Sequence, residues 1–438
     1  MQKVYIKNLG CPKNEVDGNV LLRMLEAEGM QTVKNPKKAD LIIVNTCGFI
    51  DPAKEESIDE ILAMTKLKEK KNARLVMAGC LAQRYKDMIQ KEFPEVDLVV
   101  GIANLSHAKD KILGISDGKK VKDSVLPTKY KEYDFIQKPG ELPYAYLKIS
   151  DGCDNFCSYC TIPFIRGRYR SRKVSKIVDE AKYLTEQGAS EIMLIAQDST
   201  QYGVDIYGKQ RLHGLLEKLE QVEGIKWIRL MYTHPAHYYK ELIDYLAKSE
   251  KVVPYLDLPI QHISDRILKE MNRKITAKQM INLINRLRKK IKNLVLRTTY
   301  IIGFPTETKE DFQELWDFQK EYKIERVGVF AYSREEVTPS ATMEPQITEK
   351  VTVGRIDELM MLVMGQSMDR NSKLLGKKVE VLIDERHKDG YYIGRAYDQA
   401  PEIDGYIKLK GKFKPGRFYN VRITGFEAYD LSAEEWKE

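Results

Sequence analysis

The sequence predicts an α/β protein in three parts: an amino-terminal parallel-sheet domain, an incomplete barrel of six β/α units, and a small antiparallel β-barrel of OB-like type. Three observations carry this. Strand-like apolar runs alternate with helical patterns over the first hundred residues, and the same alternation resumes near residue 145. After about residue 376 the chain changes to short β-type runs split by Gly and Asp turns.

In the first part, 4–9, 41–45, 75–78 and 98–100 read as strands, with helices over 18–28 and 51–69 and around 85–92 between them. The polar stretch from Ser116-Asp117-Gly118 to Lys138-Pro139-Gly140 reads as a linker. Barrel strands follow at 145–149, 191–195, 226–232, 255–258, 294–302 and 326–330, separated by helical segments such as 173–187, 277–290 and 309–321. A long helix over 349–375, with Leu359, Leu362 and Val363 on one side, is expected to pack back on the barrel. Its methionines Met360, Met361, Met364 and Met368 read as core filler. The last strands are 379–383, 391–395, 405–409 and 419–424. The expected boundaries are therefore 1–115, a linker over 116–142, a barrel with trailing helix over 143–370, and a carboxyl-terminal domain over 372–438.

Composition narrows the class. At 438 residues the chain holds several domains' worth of core without disulfide staples, and 31% charged against 43% hydrophobic residues exclude disordered and fibrous classes. No run reaches the roughly 18 apolar residues of a membrane span, mean hydropathy is −0.44, and no basic segment leads into an apolar one at the amino terminus. The expectation is a soluble, cytoplasmic protein that uses no membrane. The net charge of +8 is spread along the chain and permits nucleic-acid binding without requiring it. In a reducing compartment the six cysteines are expected to be free or bound to metal rather than paired as disulfides.

Their spacing points to metal. Cys153, Cys157 and Cys160 form a C-x3-C-x2-C run just after the first barrel strand. Three thiolates on one loop can hold a 4Fe-4S cluster and leave one iron open for a substrate. A zinc knuckle would want a fourth Cys or His nearby, and the next histidine is His213. Cys11, Cys47 and Cys80 lie 36 and 33 residues apart, each after an apolar run. In a parallel sheet those strand ends share one edge. Buried free cysteine would be the ordinary reading of any one of them, but three at equivalent ends predict a second three-thiolate cluster.

The first motif, followed by a partial barrel, resembles the radical S-adenosylmethionine superfamily. The resemblance implies that the open iron chelates S-adenosylmethionine and that an electron from the cluster cleaves it to a 5'-deoxyadenosyl radical. It places Tyr159 and the segment Ile301-Ile302-Gly303-Phe304-Pro305 by the adenine, with plain loop packing the alternative for Tyr159. Gln197 and Asp198, ending the second barrel strand, would hold the methionine part, against ordinary capping.

Two cysteine trios with this carboxyl-terminal barrel resemble the methylthiotransferases over nearly the whole chain, and so imply a TRAM domain at the carboxyl terminus. Four strings are similar to the branch that modifies small-subunit ribosomal protein twelve: Gly10-Cys11-Pro12-Lys13-Asn14, Asn45-Thr46-Cys47-Gly48-Phe49-Ile50, Gln261-His262-Ile263-Ser264 and Ala400-Pro401-Glu402-Ile403-Asp404-Gly405. Two places depart. Thr306 stands where the family usually has Gly, and Tyr232-Thr233-His234-Pro235 is nearer the tRNA-modifying pattern.

The resemblance implies two 4Fe-4S clusters and two S-adenosylmethionine molecules. One molecule methylates sulfur at the amino-terminal cluster; the other supplies the radical that activates a C–H, here the β-carbon of an aspartate. An electron donor protein and a sulfur donor are further implied partners. The cofactors carry the chemistry, so no acid–base residue is assigned. His262 falls in a family-like string, whereas His234 and His237 read as structural or surface. Arg166, Arg168, Arg170 and Arg172 read as a basic face, solvated or touching an acidic loop or phosphates. The alternative functions are a tRNA adenosine methylthiotransferase and a non-enzymatic iron–sulfur sensor. From Ser372 onward 13 Lys and Arg face 12 Asp and Glu, nearly neutral where an RNA-binding barrel would be basic, although Lys408, Lys410, Lys412 and Lys414 form a local patch.

Overall fold

The computed structural model describes residues 2–116 and 135–436. Most of the expected linker, 117–134, lies outside them. The chain divides into two compact units: Met1–Pro139 with Ser150–Asp154 and Cys160–Lys176, and Gly140–Ile149 with Asn155–Tyr159 and Ile177–Glu438.

The first unit runs β1 (Lys3–Asn8), α1 (Pro12–Ala27), β2 (Gln31–Thr32), β3 (Leu41–Thr46), α2 (Asp51–Lys71), β4 (Arg74–Gly79), α3 (Cys80–Glu92), β5 (Leu98–Val100) and α4 (Leu105–Ser116). The strands form a parallel sheet in the order β2-β1-β3-β4-β5. Every residue of β3 is buried, because helices cover both faces and the strand can be apolar on both. Ile43 and Val76 point into a core with Leu21 and Leu25 of α1 and Ile112 of α4. Ile42, Val44 and Met77 point the other way, against Ile61 of α2 and Ile89 of α3. Each such side chain contributes about 1.5–3 kcal/mol by leaving water. Two helices start earlier than periodicity predicts: Pro12 opens α1, as proline does at a first turn, and α3 begins at Cys80 itself. The two-residue β2 and the helix α4 were not expected from sequence.

The unit also takes in a short antiparallel ribbon, β7 (Ser150–Asp151) with β8 (Arg170–Ser171), and α5 (Ile162–Arg166).

The second unit opens with β6 (Tyr144–Lys148). After α6 (Val174–Glu186) come β9 (Glu191–Ile195), α7 (Val204–Tyr207), α8 (Leu212–Glu220), β10 (Trp227–Leu230), α9 (Lys240–Leu246), β11 (Val252–Asp257), α10 (Asp265–Glu270) and α11 (Ala277–Lys290). β12 (Val295–Ile302), α12 (Lys309–Tyr322), β13 (Arg326–Ala331) and α13 (Glu349–Ser372) complete the series. The six strands lie in chain order, β6-β9-β10-β11-β12-β13, parallel throughout, with β6 and β13 at the edges. This is the expected six-unit open barrel. α11 and α12 start where sequence places them because Thr276 with Gln279, and Thr308 with Asp311, form reciprocal capping boxes.

One expectation fails on α13. Leu359 and Val363 are buried, but Met361, Met364 and Met368 are exposed, Met361 at 64%. They follow one another at helical spacing on the face away from the packed one, so they are not core filler.

The last five strands, β14 (Lys378–Arg386), β15 (Tyr392–Arg395), β16 (Ile407–Lys410), β17 (Phe418–Phe426) and β18 (Leu431–Glu435), close into a barrel ordered β14-β15-β16-β18-β17. Sequence reading gave four strands and an antiparallel barrel. The fifth, Leu431-Ser432-Ala433-Glu434-Glu435, buries only Leu431 and Ala433 and hides behind its charges. It closes the barrel by pairing parallel to β16, Ile407 opposite Leu431.

This barrel seats on the amino-terminal ends of the strands of the six-stranded sheet. Glu191, first in β9, bonds Arg229 at 2.6 Å and Arg395 at 2.8 Å; Trp227, first in β10, meets Phe418 edge-on at 4.8 Å; Arg326, first in β13, bonds Asp398 at 3.2 Å. Asp404 bonds Tyr255 and lies 3.6 Å from Arg297, so the string Ala400–Gly405 is used in this seam, opposite the mouth where the strands end. Among the described residues no helix is long and apolar enough to cross a membrane.

Candidate active site: two cysteine trios

In the first unit, β3 and β4 pair Thr46 with Gly79, so Cys47 and Cys80 step off neighbouring strands at the same level. Cys11 follows β1 on the same edge and caps α1, while Cys80 opens α3. Two glycines make the approach possible. Gly10, at φ +79°, carries no side chain where a Cβ would stand 2.7 Å from Cys47 Sγ, and Gly79, at φ +103°, passes 2.3 Å from the Thr46 carbonyl on the same measure. No disulfide joins any of the six cysteines.

The surroundings hold this edge rigid. Asn14, fully buried, donates from Nδ2 to the carbonyls of Leu9 (2.9 Å), Asn45 (3.1 Å) and Thr46 (3.2 Å), tying the ends of β1 and β3 together. Ser57 of α2 holds the Cys47 backbone, its Oγ accepting from the amide at 3.0 Å while its one hydrogen faces the carbonyls of Ala53 (2.8 Å) and Cys47 (3.1 Å). Burial pushes the Cys80 thiol up to about 12, opposed by Arg166 and reinforced by the neighbouring Cys11 and Cys47. Cys47 is raised by burial and by Cys11. Cys47 and Cys80 are therefore costly to ionise unless a metal takes the charge.

The donor set fits a cluster rather than a single ion. Among the described residues the one trio of ligating atoms within 4.8 Å of one another is Asp198, His234 and His237, and no thiol belongs to it. Thiolates bound to separate irons of a cubane need no such crowding. Cys11, Cys47 and Cys80 leave the sheet at one edge, three sulfur donors on neighbouring strand ends.

The second motif runs through both units, Cys153 and Cys160 with the first and Cys157 with the second. In the first, the Cys153 amide donates to the Gly167 carbonyl at 3.1 Å. In the second, Cys157 Sγ accepts a hydrogen bond from Arg273 at 3.6 Å, and Ser158 is fixed by its amide to the Met271 carbonyl at 3.1 Å.

The second unit gathers the residues predicted for the cofactor at the carboxyl ends of its strands. Tyr159 packs in one apolar cluster with Phe304, Ile301, Ile267 and Met271, so the two segments expected by the adenine do meet. Ile302 and Phe304 are fully buried; the Gly303 amide donates to Glu307 at 3.0 Å, and Pro305 leads into Thr306.

Gln197 and Asp198 part company. Neither polar atom of the buried Gln197 amide has a protein partner. Asp198 is saturated: it accepts from Asn155 (2.9 Å), His237 Nδ1 (2.7 Å), and both the amide (3.1 Å) and hydroxyl of Thr200. Although burial opposes it, these donors and the nearby histidines hold its carboxyl down at about 2. Four donors fill the roughly four lone-pair sites of a carboxylate, so the Asp198–His234–His237 trio is a hydrogen-bond network rather than an open metal site. His237 is thus tied to the mouth, not to the surface; His234 is buried and stacks on it at 4.6 Å.

The backbone is bent at the same end. Phe156, Tyr232, Gln261 and Thr306 adopt left-handed φ of 49°, 57°, 70° and 71°. Such residues persist where surroundings enforce them, typically at functional sites. Thr306 explains its own departure: glycine takes this φ without strain, and here Arg266 holds the threonine through its hydroxyl (2.9 Å) and carbonyl (2.8 Å).

Sequence reading missed several residues. Arg166 is not part of a solvated basic face: it is 1% exposed and bonds Asp17, Asp151 and Cys80. Arg172 is also buried, Arg170 is half-buried, and Arg168, exposed, pairs with Asp154 at 2.7 Å. The signal for Arg166 was its place in the apolar turn Ile162-Pro163-Phe164-Ile165. Asn14 had one too, three residues past Cys11. Nothing local marked Arg273 or Asn155.

The chain matches three families: Uncharacterized protein family UPF0004 over residues 3–101, the Radical SAM superfamily over 147–318 and the TRAM domain over 375–435. It is 48% identical to a "Ribosomal protein uS12 methylthiotransferase RimO" of Clostridium perfringens, covering 98% of this chain and 97% of the relative. The same name belongs to relatives in Aquifex aeolicus (45%, covering 99% and 97%) and Clostridioides difficile (44%, covering 99% and 99%). Among solved structures, the radical S-adenosylmethionine methyltransferase TsrM from Kitasatospora setae, with cobalamin and a 4Fe-4S cluster bound, has a TM-score of 0.57 at 17% identity, covering 78% of this chain and 77% of that one. At that identity the likeness is one of fold.

Proposed function

This chain belongs to the RimO family of radical S-adenosylmethionine methylthiotransferases, and on that premise we propose that it methylthiolates the β-carbon of an aspartate in small-subunit ribosomal protein uS12, in the cytoplasm, using two 4Fe-4S clusters and two S-adenosylmethionine molecules. The observation that carries the two-cluster reading is the convergence of Cys11, Cys47 and Cys80 on one sheet edge, remote in sequence from Cys153, Cys157 and Cys160. When bound, the barrel cluster with S-adenosylmethionine supplies a carbon radical, and the amino-terminal cluster supplies a sulfur carrier.

The protein's own part is to hold and to shield. Cys11, Cys47 and Cys80 ligate one cluster on an edge that Asn14 and Ser57 keep fixed; Cys153, Cys157 and Cys160 ligate the other. Tyr159 and Phe304, which share one apolar cluster, offer with the flanking Ile302, Gly303 and Pro305 a wall suited to an adenine. Gln197, whose buried amide lacks a partner, faces the polar part of the cofactor, while Asp198 acts one step back by orienting Asn155 and His237. An electron donor and a sulfur donor complete the reaction.

Anaerobic reconstitution should give about eight irons per chain, and the Cys153→Ala, Cys157→Ala, Cys160→Ala variant about four. The variant lacking Cys11, Cys47 and Cys80 should still cleave S-adenosylmethionine reductively yet transfer no methylthio group. Four irons in the intact protein, or full methylthiolation by the second variant, would overturn the reading. A second substrate has one observation in its favour: Lys408, Lys410, Lys412 and Lys414 are all exposed along β16 and the turn after it. Mass spectrometry of uS12 and of tRNA from cells lacking this chain decides between them, a methylthiolated adenosine lost from tRNA moving the chain to the RNA branch.

A further inference from the structure

Arg166 is the largest side chain wholly buried in the first unit that the proposed chemistry leaves unused. It ends α5, six residues past Cys160, and its guanidinium is shared three ways. Nη1 donates to Asp17 Oδ2 at 2.9 Å and to Asp151 Oδ1 at 3.1 Å, and Nη2 donates to Cys80 Sγ at 3.4 Å. Asp17 lies on α1, within two turns of Cys11, and is 3% exposed. Ile165 and Ile102 pack with Cys80 and keep water from the contact.

Two carboxylates meet one guanidinium, so what reaches the sulfur is a directed N–H rather than a net positive charge. Hydrogen bonds to ligand sulfur and exclusion of solvent are the levers by which proteins set iron–sulfur potentials. A donor to a cysteinyl sulfur favours the form with more charge on sulfur, which is the reduced one. A dry surrounding makes that preference stronger than it would be in water.

We propose that Arg166 is a positioning residue of the amino-terminal cluster, raising its reduction potential through the N–H bond to Cys80. This rests on the reading that Cys11, Cys47 and Cys80 hold a cluster. A second consequence is mechanical: through Asp151, two residues before Cys153, the same guanidinium ties the segment carrying the outer cysteines of the barrel motif to Cys80. The signal is a single side chain joining the surroundings of two cysteine motifs that sequence keeps apart.

The test uses the full chain with Cys153, Cys157 and Cys160 replaced by alanine, so that the amino-terminal cluster is read alone by potentiometry with electron paramagnetic resonance. In that background Arg166→Met with Asp17→Asn removes the donor while deleting one positive and one negative charge together. The reduction equilibrium should move at least tenfold toward the oxidised form, about 59 mV for a one-electron couple, with iron retained at about four per chain. Should the double variant fail to load iron, Arg166→Lys is read instead. It keeps a cation for the carboxylates, cannot reach all three partners, and should move the equilibrium the same way. A potential unchanged in whichever variant loads would overturn the role of Arg166 and leave the cluster reading standing, whereas a background chain without iron would overturn both.

Discussion

His262 tests how the barrel mouth is built. It belongs to the string Gln261-His262-Ile263-Ser264, yet it is fully buried. Its Nδ1 accepts the Ser264 amide at 3.0 Å, and its Nε2, with no hydrogen-bond partner, lies 3.8 Å from Glu307. Burial holds its pKa down at about 3, with Asp311 opposing and Arg266 and Arg355 adding to the effect. In the unfolded chain an imidazole titrates near 6.5. Between those values the unfolded state binds a proton that the folded state refuses, so stability is lost as pH falls. From pH 7.5 to 5.5 the unfolded imidazole goes from mostly neutral to mostly charged, and the loss from this one residue is about 1.4 kcal/mol. In His262→Asn the new carbonyl can still accept the Ser264 amide, and the titrating ring is gone. Urea unfolding of the cluster-loaded protein, anaerobically at the two pH values, should show the variant losing about 1.4 kcal/mol less than the wild type. His234, likewise held neutral by burial, and the acid sensitivity of the clusters are common to both proteins and cancel. Equal losses would refute the reasoning, and would mean that His262 takes up a proton in the fold.

Three further outcomes are expected. Gln197→Leu should weaken S-adenosylmethionine binding about tenfold, the value of a hydrogen bond of about 1.4 kcal/mol, without lowering thermal stability, because the amide it removes has no protein partner; calorimetry showing full affinity would remove Gln197 from the site. Asn14→Ala takes the Nδ2 donor from the Leu9 and Thr46 carbonyls, at about 1–3 kcal/mol each, while the Asn45 carbonyl keeps the Leu9 amide. Chelator challenge should then strip iron from the amino-terminal trio faster than from the barrel motif; equal rates would refute it. Replacing Lys408, Lys410, Lys412 and Lys414 with alanine should leave turnover on free uS12 and its shallow salt dependence unchanged, whereas a steep salt dependence abolished by the substitution would show phosphate contacts.

Much of this protein could be read from the chain itself, for reasons tied to range. The six barrel strands, the helix starts at Ala277 and Lys309, and the placing of three cysteines at strand ends all rest on period, capping residues and spacing, which act over a few residues. Even the convergence of Cys11, Cys47 and Cys80 followed from sequence, because a parallel sheet puts its strand ends on one edge. Tertiary structure decided what one residue type does among several available uses. Arg166 and Arg168 are two residues apart in one basic run, yet one is buried against Cys80 and the other pairs in solvent with Asp154. Asp198 and Gln197 are adjacent, yet one carboxylate is filled by four donors and one amide has none. Met361, Met364 and Met368 carry the hydrophobicity of a core and lie outside it. β18 was hidden because an edge closed by backbone pairing needs little apolar pattern. The deciding partners, Cys80 for Arg166, Asn155 and His237 for Asp198, and β16 for β18, lie tens of residues away, and a local pattern carries no record of them.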